Sequence, residues 1–420
     1  MGLNRADGAK GFKKLARPDI ALNASDKLAL GDLRLEVGAV TESVEVNATA
    51  ALLQTESVER SDAVTGTQIQ NIEVDGRSPL DLAKLIPGVQ FTTGATYAVG
   101  NAANGANNFT ANGTRPSQNQ VTINGIGDVD TGNNGGQNVS VSNDSIAEFK
   151  VLTAAYQAEY GRSAGAQIQL VTKTGTAQFH GSGYFYHRNE GLNANTFLDN
   201  IRPQFGLSVT PKPLFRNNDP GYTIGGPAFI PKVFERTRDK VFFFWSQEWQ
   251  NQLAPNTAHN VTVPTALERQ GNFSQSLSSA NHQVVTIYDP ITRTAFPGNI
   301  IPPSRIWAPG QALNLYPLPN LALAPNANLP SGATYNYQTQ LPGEMPRRED
   351  LLRLDYNVTN NLRVFGHYIN DDQNTVVPYG SFVLGINVQP FSPIGDPIPG
   401  RSVAAGGTYV INPTMTNEFN

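Results

Sequence analysis

The pentapeptide Gly161-Arg162-Ser163-Ala164-Gly165 fits the G-x-S-x-G pattern of a hydrolase nucleophile elbow, which would make Ser163 the attacking group. That chemistry needs a strand before the serine and a helix after it, whereas Ala166 to Lys173 alternates as a strand does. A Gly-bounded turn is the expected reading, with a Ser163 hydrolase as its rival. The histidines His180, His187, His259, His282 and His367 offer no pair at metal-ligand spacing, and the odd offset of the first two puts them on opposite faces of one strand. Asp128-Val129-Asp130-Thr131-Gly132-Asn133 has the outline of a calcium loop without its later bidentate carboxylate, so a solvated turn is expected there. The absence of cysteine excludes disulfides, thiolate-bound zinc and a thiol nucleophile. No catalytic residue, cofactor or metal is expected.

The elements that carry these residues are read from a chain of 420 residues, roughly three domains at about 150 residues each. Charged residues make up 15% and the net charge is -4, so no basic field exists to hold nucleic acid. The longest strongly apolar run, Val241 to Trp245, falls far short of the about 20 residues of a membrane helix, which leaves a β-barrel or a partner as the route to a membrane. Met1 to Lys14 is basic but lacks a following apolar segment, so no signal peptide is read and the true N-terminus is expected to be missing if the protein is exported. The 39 Gly and 29 Pro fit many short strands and long connections.

Alternation marks strands at Ile20 to Leu22, Leu28 to Val37 and Val40 to Ala48, followed by a polar, Ala- and Thr-rich stretch to about Thr67 that reads as a linker. A helix is expected from Pro79 to Ile86, capped by Ser78 and stopped by Pro87-Gly88. From Gly94 to Ser145 the chain is Asn- and Gly-rich around one strand, Gln120 to Gly125. Past Gly175 come aromatic strands at Phe179 to Arg188, Val241 to Trp249, Leu351 to Val358, Leu362 to Ile369 and Ser402 to Val410. Leu352 to Tyr368 is the best hairpin, with Thr359-Asn360-Asn361 as its turn. Tight turns alternating with connections of tens of residues match the two rims of an outer-membrane barrel.

The run from Ser145-Ile146-Ala147-Glu148-Phe149-Lys150-Val151-Leu152 through Tyr156-Gln157-Ala158-Glu159-Tyr160-Gly161-Arg162-Ser163-Ala164-Gly165 to Val171-Thr172-Lys173-Thr174-Gly175 closely resembles the plug-to-barrel junction of TonB-dependent outer-membrane receptors. The match is to the Oar-like subgroup with an N-terminal carboxypeptidase-regulatory-like domain. Gly76-Arg77-Ser78-Pro79-Leu80 with Pro87-Gly88-Val89 is similar to the first plug helix region, and Val121-Thr122-Ile123-Asn124-Gly125 to a plug strand in which Asp usually stands at the Asn124 position. Thr41-Glu42-Ser43-Val44-Glu45-Val46 resembles a TonB box, with Glu45 where Thr is commoner.

The resemblance implies a mainly β fold: a small mixed α/β plug followed by the first antiparallel strands of an incomplete transmembrane β-barrel. It divides the chain into 1–38, the last strands of the regulatory β-sandwich; 39–65, the TonB-box-like segment and linker; 66–175, the plug; and 176–420, about six barrel strands of the 22 or so such barrels use. Truncation at both ends is expected. The implied site residues are Thr41 to Val46 for coupling and Gly76, Arg77, Pro87, Gly88, Asn124, Gly125, Glu159, Tyr160, Gly161, Arg162 and Gly165 in the plug. The implied partners are a TonB-type energy-transducing protein, an extracellular ligand and outer-membrane lipid of a Gram-negative cell, with no enzymatic activity. Nearly uncharged loops at Gly94 to Asn143 and Thr265 to Gln340 suit a glycan or a peptide. The rival from another class is a soluble or surface-attached all-β binding or adhesion protein, which requires Phe185, Phe243 and Trp245 to be buried in a water-soluble core.

Overall fold

The computed structural model describes residues 2–7, 12–21, 35–38, 43–45, 58–72, 74, 77–91, 109–132, 136–201, 204, 212, 214–228, 239–254, 259–278, 283–320, 336–378, 393–412 and 415–420. Three sheets organise them. At the N-terminus β1 (Gly2–Asp7) pairs antiparallel with β2 (Lys14–Ala21), and β3 (Ser43–Glu45) lies parallel on the other edge of β2. Strand β1 has no apolar alternation and was not expected; main-chain pairing with β2 carries it. Of the expected strand Leu28 to Val37, residues 28–34 lie outside the described residues. Val37 forms an antiparallel bridge with Phe12.

The middle sheet is mixed. It uses β4 (Arg60–Thr65), β7 (Gln120–Ile123), β8 (Ile126–Gly127), β9 (Ile146–Ala154) and β10 (Gln167–Thr172) in the order β4-β9-β10-β7-β8, with β10 parallel to β7 and the other pairs antiparallel. A small pair, β5 (Val89–Phe91) and β6 (Phe109–Ala111), and a short helix α1 (Gly66–Asn71) complete it. The stretch read as a linker to Thr67 therefore ends in a strand. One inward residue, Val64, opposite Phe149, suffices because the β9 edge supplies the main-chain partners. The expected helix forms as a 3-10 helix over Pro79–Leu85, not an α-helix, and Ser78 makes no side-chain cap. Its end bonds span three residues, Asp81 N–H to the Ser78 carbonyl and Ile86 N–H to the Ala83 carbonyl, a short-range pattern that seven residues can close. Gly88 then turns the chain at φ +90°, where a side chain would be strained.

The third sheet holds β11 (His180–Asn189), β12 (Arg216–Pro227), β13 (Val241–Ala254), β16 (Gly343–Asn357), β17 (Leu362–Val377), β18 (Ile394–Asn412) and β19 (Met415–Phe419), antiparallel and in chain order. The small pair β14 (His259–Val261) and β15 (Tyr337–Thr339) stands in the long connection between β13 and β16. Seven strands replace the six expected: β12, with Pro220 and three glycines, carries too little alternation to announce itself. Strands β16, β17 and β18 also run well past their apolar cores into polar sequence, since the hydrogen-bonded ladder does not depend on side-chain polarity. Among the described residues β11 and β19 have no partner on their outer sides, so the sheet is an open arc of an incomplete barrel.

This sheet is inverted relative to a soluble one. Phe244, Ser246 and Glu248 on β13, Glu349, Leu351 and Arg353 on β16, and His367, Ile369 and Asp371 on β17 are buried against the mixed sheet. The alternate residues face away from it, with Leu354 47% and Val403 80% exposed. One apolar cluster runs without a break from Val121, Phe149 and Ile168 of the mixed sheet to Phe244, Leu351 and Ile369 of the wall.

Candidate functional site

The seam between the mixed sheet and the wall is where charged groups collect, at three contacts. At the first, Arg77 adopts a left-handed backbone at φ 52°, a conformation that costs a non-glycine residue of order 1 kcal/mol. Its Nε and Nη2 donate to the two Glu248 oxygens at 3.0 and 2.8 Å, and Nη2 donates to Asp144 at 2.6 Å. Tyr184 donates its hydroxyl to Glu248 at 2.7 Å, and the guanidinium lies 4.9 and 4.1 Å from the ring centroids of Tyr184 and Tyr186. Burial alone would lower the Arg77 pKa, but the bonds and charges of Glu248 and Asp144 outweigh it and hold the group above its ordinary value. The cation is thus fixed.

The second contact is built by a two-residue hairpin turn between β7 and β8. Asn124 and Gly125 sit at φ 52° and 84°, the pair that the twist of a tight hairpin favours. This aims the Asn124 side chain at the wall. Its Oδ1 accepts from the Thr172 N–H at 2.9 Å and from Arg353 Nη1 at 2.9 Å, and its Nδ2 lies 3.0 Å from His367 Nδ1. Arg353 also donates to Asp355 through Nε and Nη2.

The third contact is a strap, residues 137–142. Asp128 accepts from the Asn138 and Val139 N–H groups at 3.2 and 3.1 Å and from Gln137 Nε2 at 3.3 Å. The next N–H, Ser140, donates to Asp371 on β17 at 2.8 Å, and Asp371 is gripped by Arg347 at 2.7 and 2.6 Å. Ser142 and Ser246 face each other at 3.0 Å. Burial pushes the Asp128 carboxyl up to about 8, with the Asp371 charge adding to the rise against the pull of the strap's hydrogen bonds. The expected solvated turn holds at Asp130, which closes a local turn onto the Gly132 N–H at 2.8 Å, but not at Asp128, which is buried with both its oxygens accepting from the strap.

Of the residues singled out from sequence, Arg77, Asn124 and Gly125 meet the seam. Pro87 and Gly88 form the turn that sets β5, with the Gly88 carbonyl accepting from Asn112 N–H at 2.8 Å. Glu159, Tyr160, Gly161, Arg162 and Gly165 lie in the β9–β10 turn: Tyr160 packs edge-on to Tyr156, Arg162 reaches the Thr131 carbonyl at 3.2 Å, and Gly165 N–H donates to Gln118 at 2.8 Å. Ser163 sits in this turn with β10 following, not a helix, which removes the elbow geometry a hydrolase needs. Ser43, Val44 and Glu45 form β3, whereas Thr41, Glu42, Val46 and Gly76 lie outside the described residues.

Residues 54–166 match the family described as TonB-dependent Receptor Plug Domain, and residues 171–420 match Outer membrane beta barrel domain. The chain belongs to the TonB-dependent outer-membrane receptors. A relative, the TonB-dependent transporter Oar of Myxococcus xanthus, is 31% identical over 170 residues, which is 40% of this chain and 14% of that protein. The outer membrane transporter YddB from Escherichia coli is similar to 84% of this chain over 37% of its own, at TM-score 0.47 and 11% identity. The siderophore receptor PirA from Acinetobacter baumannii covers 87% of this chain and 39% of its own, at TM-score 0.44 and 13% identity. The chain spans well under half the length of these solved receptors.

In this receptor the mixed sheet is the plug and the open arc is barrel wall, which places the chain in the outer membrane. The soluble-core alternative falls with Phe185, which is 62% exposed on the outward face where a water-soluble core would have to bury it. Sequence reading missed Asp144, Tyr184, Glu248, Arg347, Glu349, Arg353, His367 and Asp371 as seam residues. The available signal was charge alternating with apolar residues along a strand, as in Arg353 and Asp355 against Leu352, Leu354 and Tyr356.

Proposed function

We propose that this chain forms part of a transporter that takes up a glycan or peptide in an energy-coupled way. Its plug closes a larger barrel, and its Thr41 to Val46 segment takes a TonB-type energy-transducing protein. The division of labour follows the domain reading: 1–38 as the end of a carboxypeptidase-regulatory-like sandwich, 39–65 as the coupling segment with its linker, whose last strand β4 joins the plug sheet, 66–175 as the rest of the plug and 176–420 as barrel wall. The observation that supports this reading is the chemistry of the seam. Plug and wall are joined by charge pairs and main-chain donors on carboxylates at Arg77, Asn124 and Ser140. Entering water can replace such contacts one for one as the plug loosens, which an all-apolar interface would not allow. Asn- and Gly-rich loops with little charge favour a hydrogen-bonding ligand over a charged chelate.

The test uses Ser142→Cys, buried against Ser246 in a chain with no other cysteine. A membrane-impermeant maleimide should label it faster in cells with an intact proton gradient and energy-transducing protein than in cells lacking that protein. Equal labelling in both would overturn energy coupling.

A further inference from the structure

One cation beside the seam has no counter-ion of its own. Lys173, where the plug hands over to the wall, is half-buried and makes no ion pair or side-chain hydrogen bond among the described residues. Its main chain is fixed next to Asp144: the Lys173 N–H donates to the carbonyl of Ser145, the following residue, at 2.8 Å. Asp144 meanwhile is held by Arg77 at 2.6 Å, and Arg77 donates twice more to Glu248 on the wall. Burial pulls the Lys173 pKa down and the Asp144 charge pulls it up, so the field of the carboxylate reaches the ammonium across the gap. We propose that Lys173 is a second seat for Asp144: when Arg77 is withdrawn, the carboxylate passes to Lys173, and the plug pauses at a half-released stage in which Glu248 alone has lost its cation.

The order of withdrawal follows from the chain. Arg77 lies toward the N-terminal side of the plug, whereas Lys173 opens the tether at residues 173–179 and holds the residue after Asp144 by its N–H. A pull from the N-terminal side therefore moves Arg77 first and leaves Asp144 and Lys173 together. The exchange of partners is a property of the cluster; that a pull sets it off rests on the energy-coupled reading. Without Lys173, removing Arg77 would strand two carboxylates whose side chains are 13% and 0% exposed, and a buried pair broken on one side is strongly destabilising. With Lys173 present, one of the two is neutralised at once. In the closed plug the same residue is a cation kept partly from water without a partner, a cost that the half-released stage recovers.

Two measurements on the full chain in detergent micelles test the exchange with no energy-transducing protein present. In urea unfolding, Arg77→Met and Lys173→Met together should lose more stability than the two single variants summed, because each cation covers for the other at Asp144. Lys173→Arg, which keeps the charge, should leave the loss from Arg77→Met at its parental size. The second measurement is a zero-length cross-link. A carbodiimide activates the Asp144 carboxylate as an O-acylurea, the Lys173 amine attacks the acyl carbon, and the urea leaves with an amide bond formed. Mass spectrometry should find the peptide joined at 144 and 173 in Arg77→Met and not in the parent. Should Arg77→Met fail to fold, Arg77→Gln combined with Glu248→Gln, which strands no charge on the wall, takes its place in the cross-linking with the same outcome expected. Additive losses in the cycle, or equal cross-linking with and without Arg77, would overturn the second seat while the energy-coupled reading stands.

Discussion

Arg77 is the residue on which two carboxylates depend. Its side chain and those of Glu248 and Asp144 are 10%, 0% and 13% exposed, so removing one partner strands the others in a site that water hardly reaches. Arg77→Met should cost about 3–5 kcal/mol of plug stability, and Glu248→Leu a similar amount. The double variant should cost less than the sum by on the order of 1–3 kcal/mol, because both changes remove the same contact. Urea unfolding in detergent micelles reads all three. Asp128 provides a pH dependence. Its folded-state value, about 8, lies above the ordinary carboxyl range, so the stability it contributes is full at low pH and is lost as pH rises through about 8. Asp128→Asn, which keeps an acceptor for the strap N–H groups but never ionises, should flatten the fall in plug stability between pH 4 and 8.5. A variant with the same slope as the parent would show that the strap, not the carboxyl, sets it. The resemblance picked out Arg77 and Asn124, but their partners lie 171 and 229 positions away in sequence and no local pattern pairs them.

At the level of strands, legibility tracked side-chain contrast. The β16–β17 hairpin was readable because Leu352, Leu354 and Tyr356 alternate with Arg353 and Asp355; β12 and the polar halves of β16 to β18 were not, because main-chain pairing to neighbours already in place forms them. The same alternation was read without its sign: which face meets the plug and which meets lipid is decided by the partner surface. It makes one prediction for two exposed apolar residues. Leu354→Arg puts a charge on the outward face and should cost about 2–4 kcal/mol if the residue sits near the bilayer midplane, whereas Ile291→Arg, 79% exposed in the long β13–β16 connection, should be near neutral. Unfolding from lipid vesicles distinguishes the two, and equal effects would mean that Leu354 does not face lipid.

The whole molecule was legible as a class through its resemblance to a receptor family: the absence of a membrane helix, the sparse charge and the uneven connections left a barrel or a soluble β fold, and the junction motif from Ser145 to Gly175 chose between them. What composition could not supply was the mutual placement of the mixed sheet and the wall, because apolar burial is continuous from plug to wall and belongs to neither sequence segment alone. The junction also fixes where the plug is tethered. Thr172 ends the last plug strand and His180 begins the first wall strand, with Lys173 N–H held by the Ser145 carbonyl and Gly175 so close to the Phe243 and Gly226 backbones that any side chain there would collide. Residues 173–179 can span at most about 25 Å. The stopper is on a short leash fastened to the first stave, so this end of it stays beside the wall whatever the rest of it does.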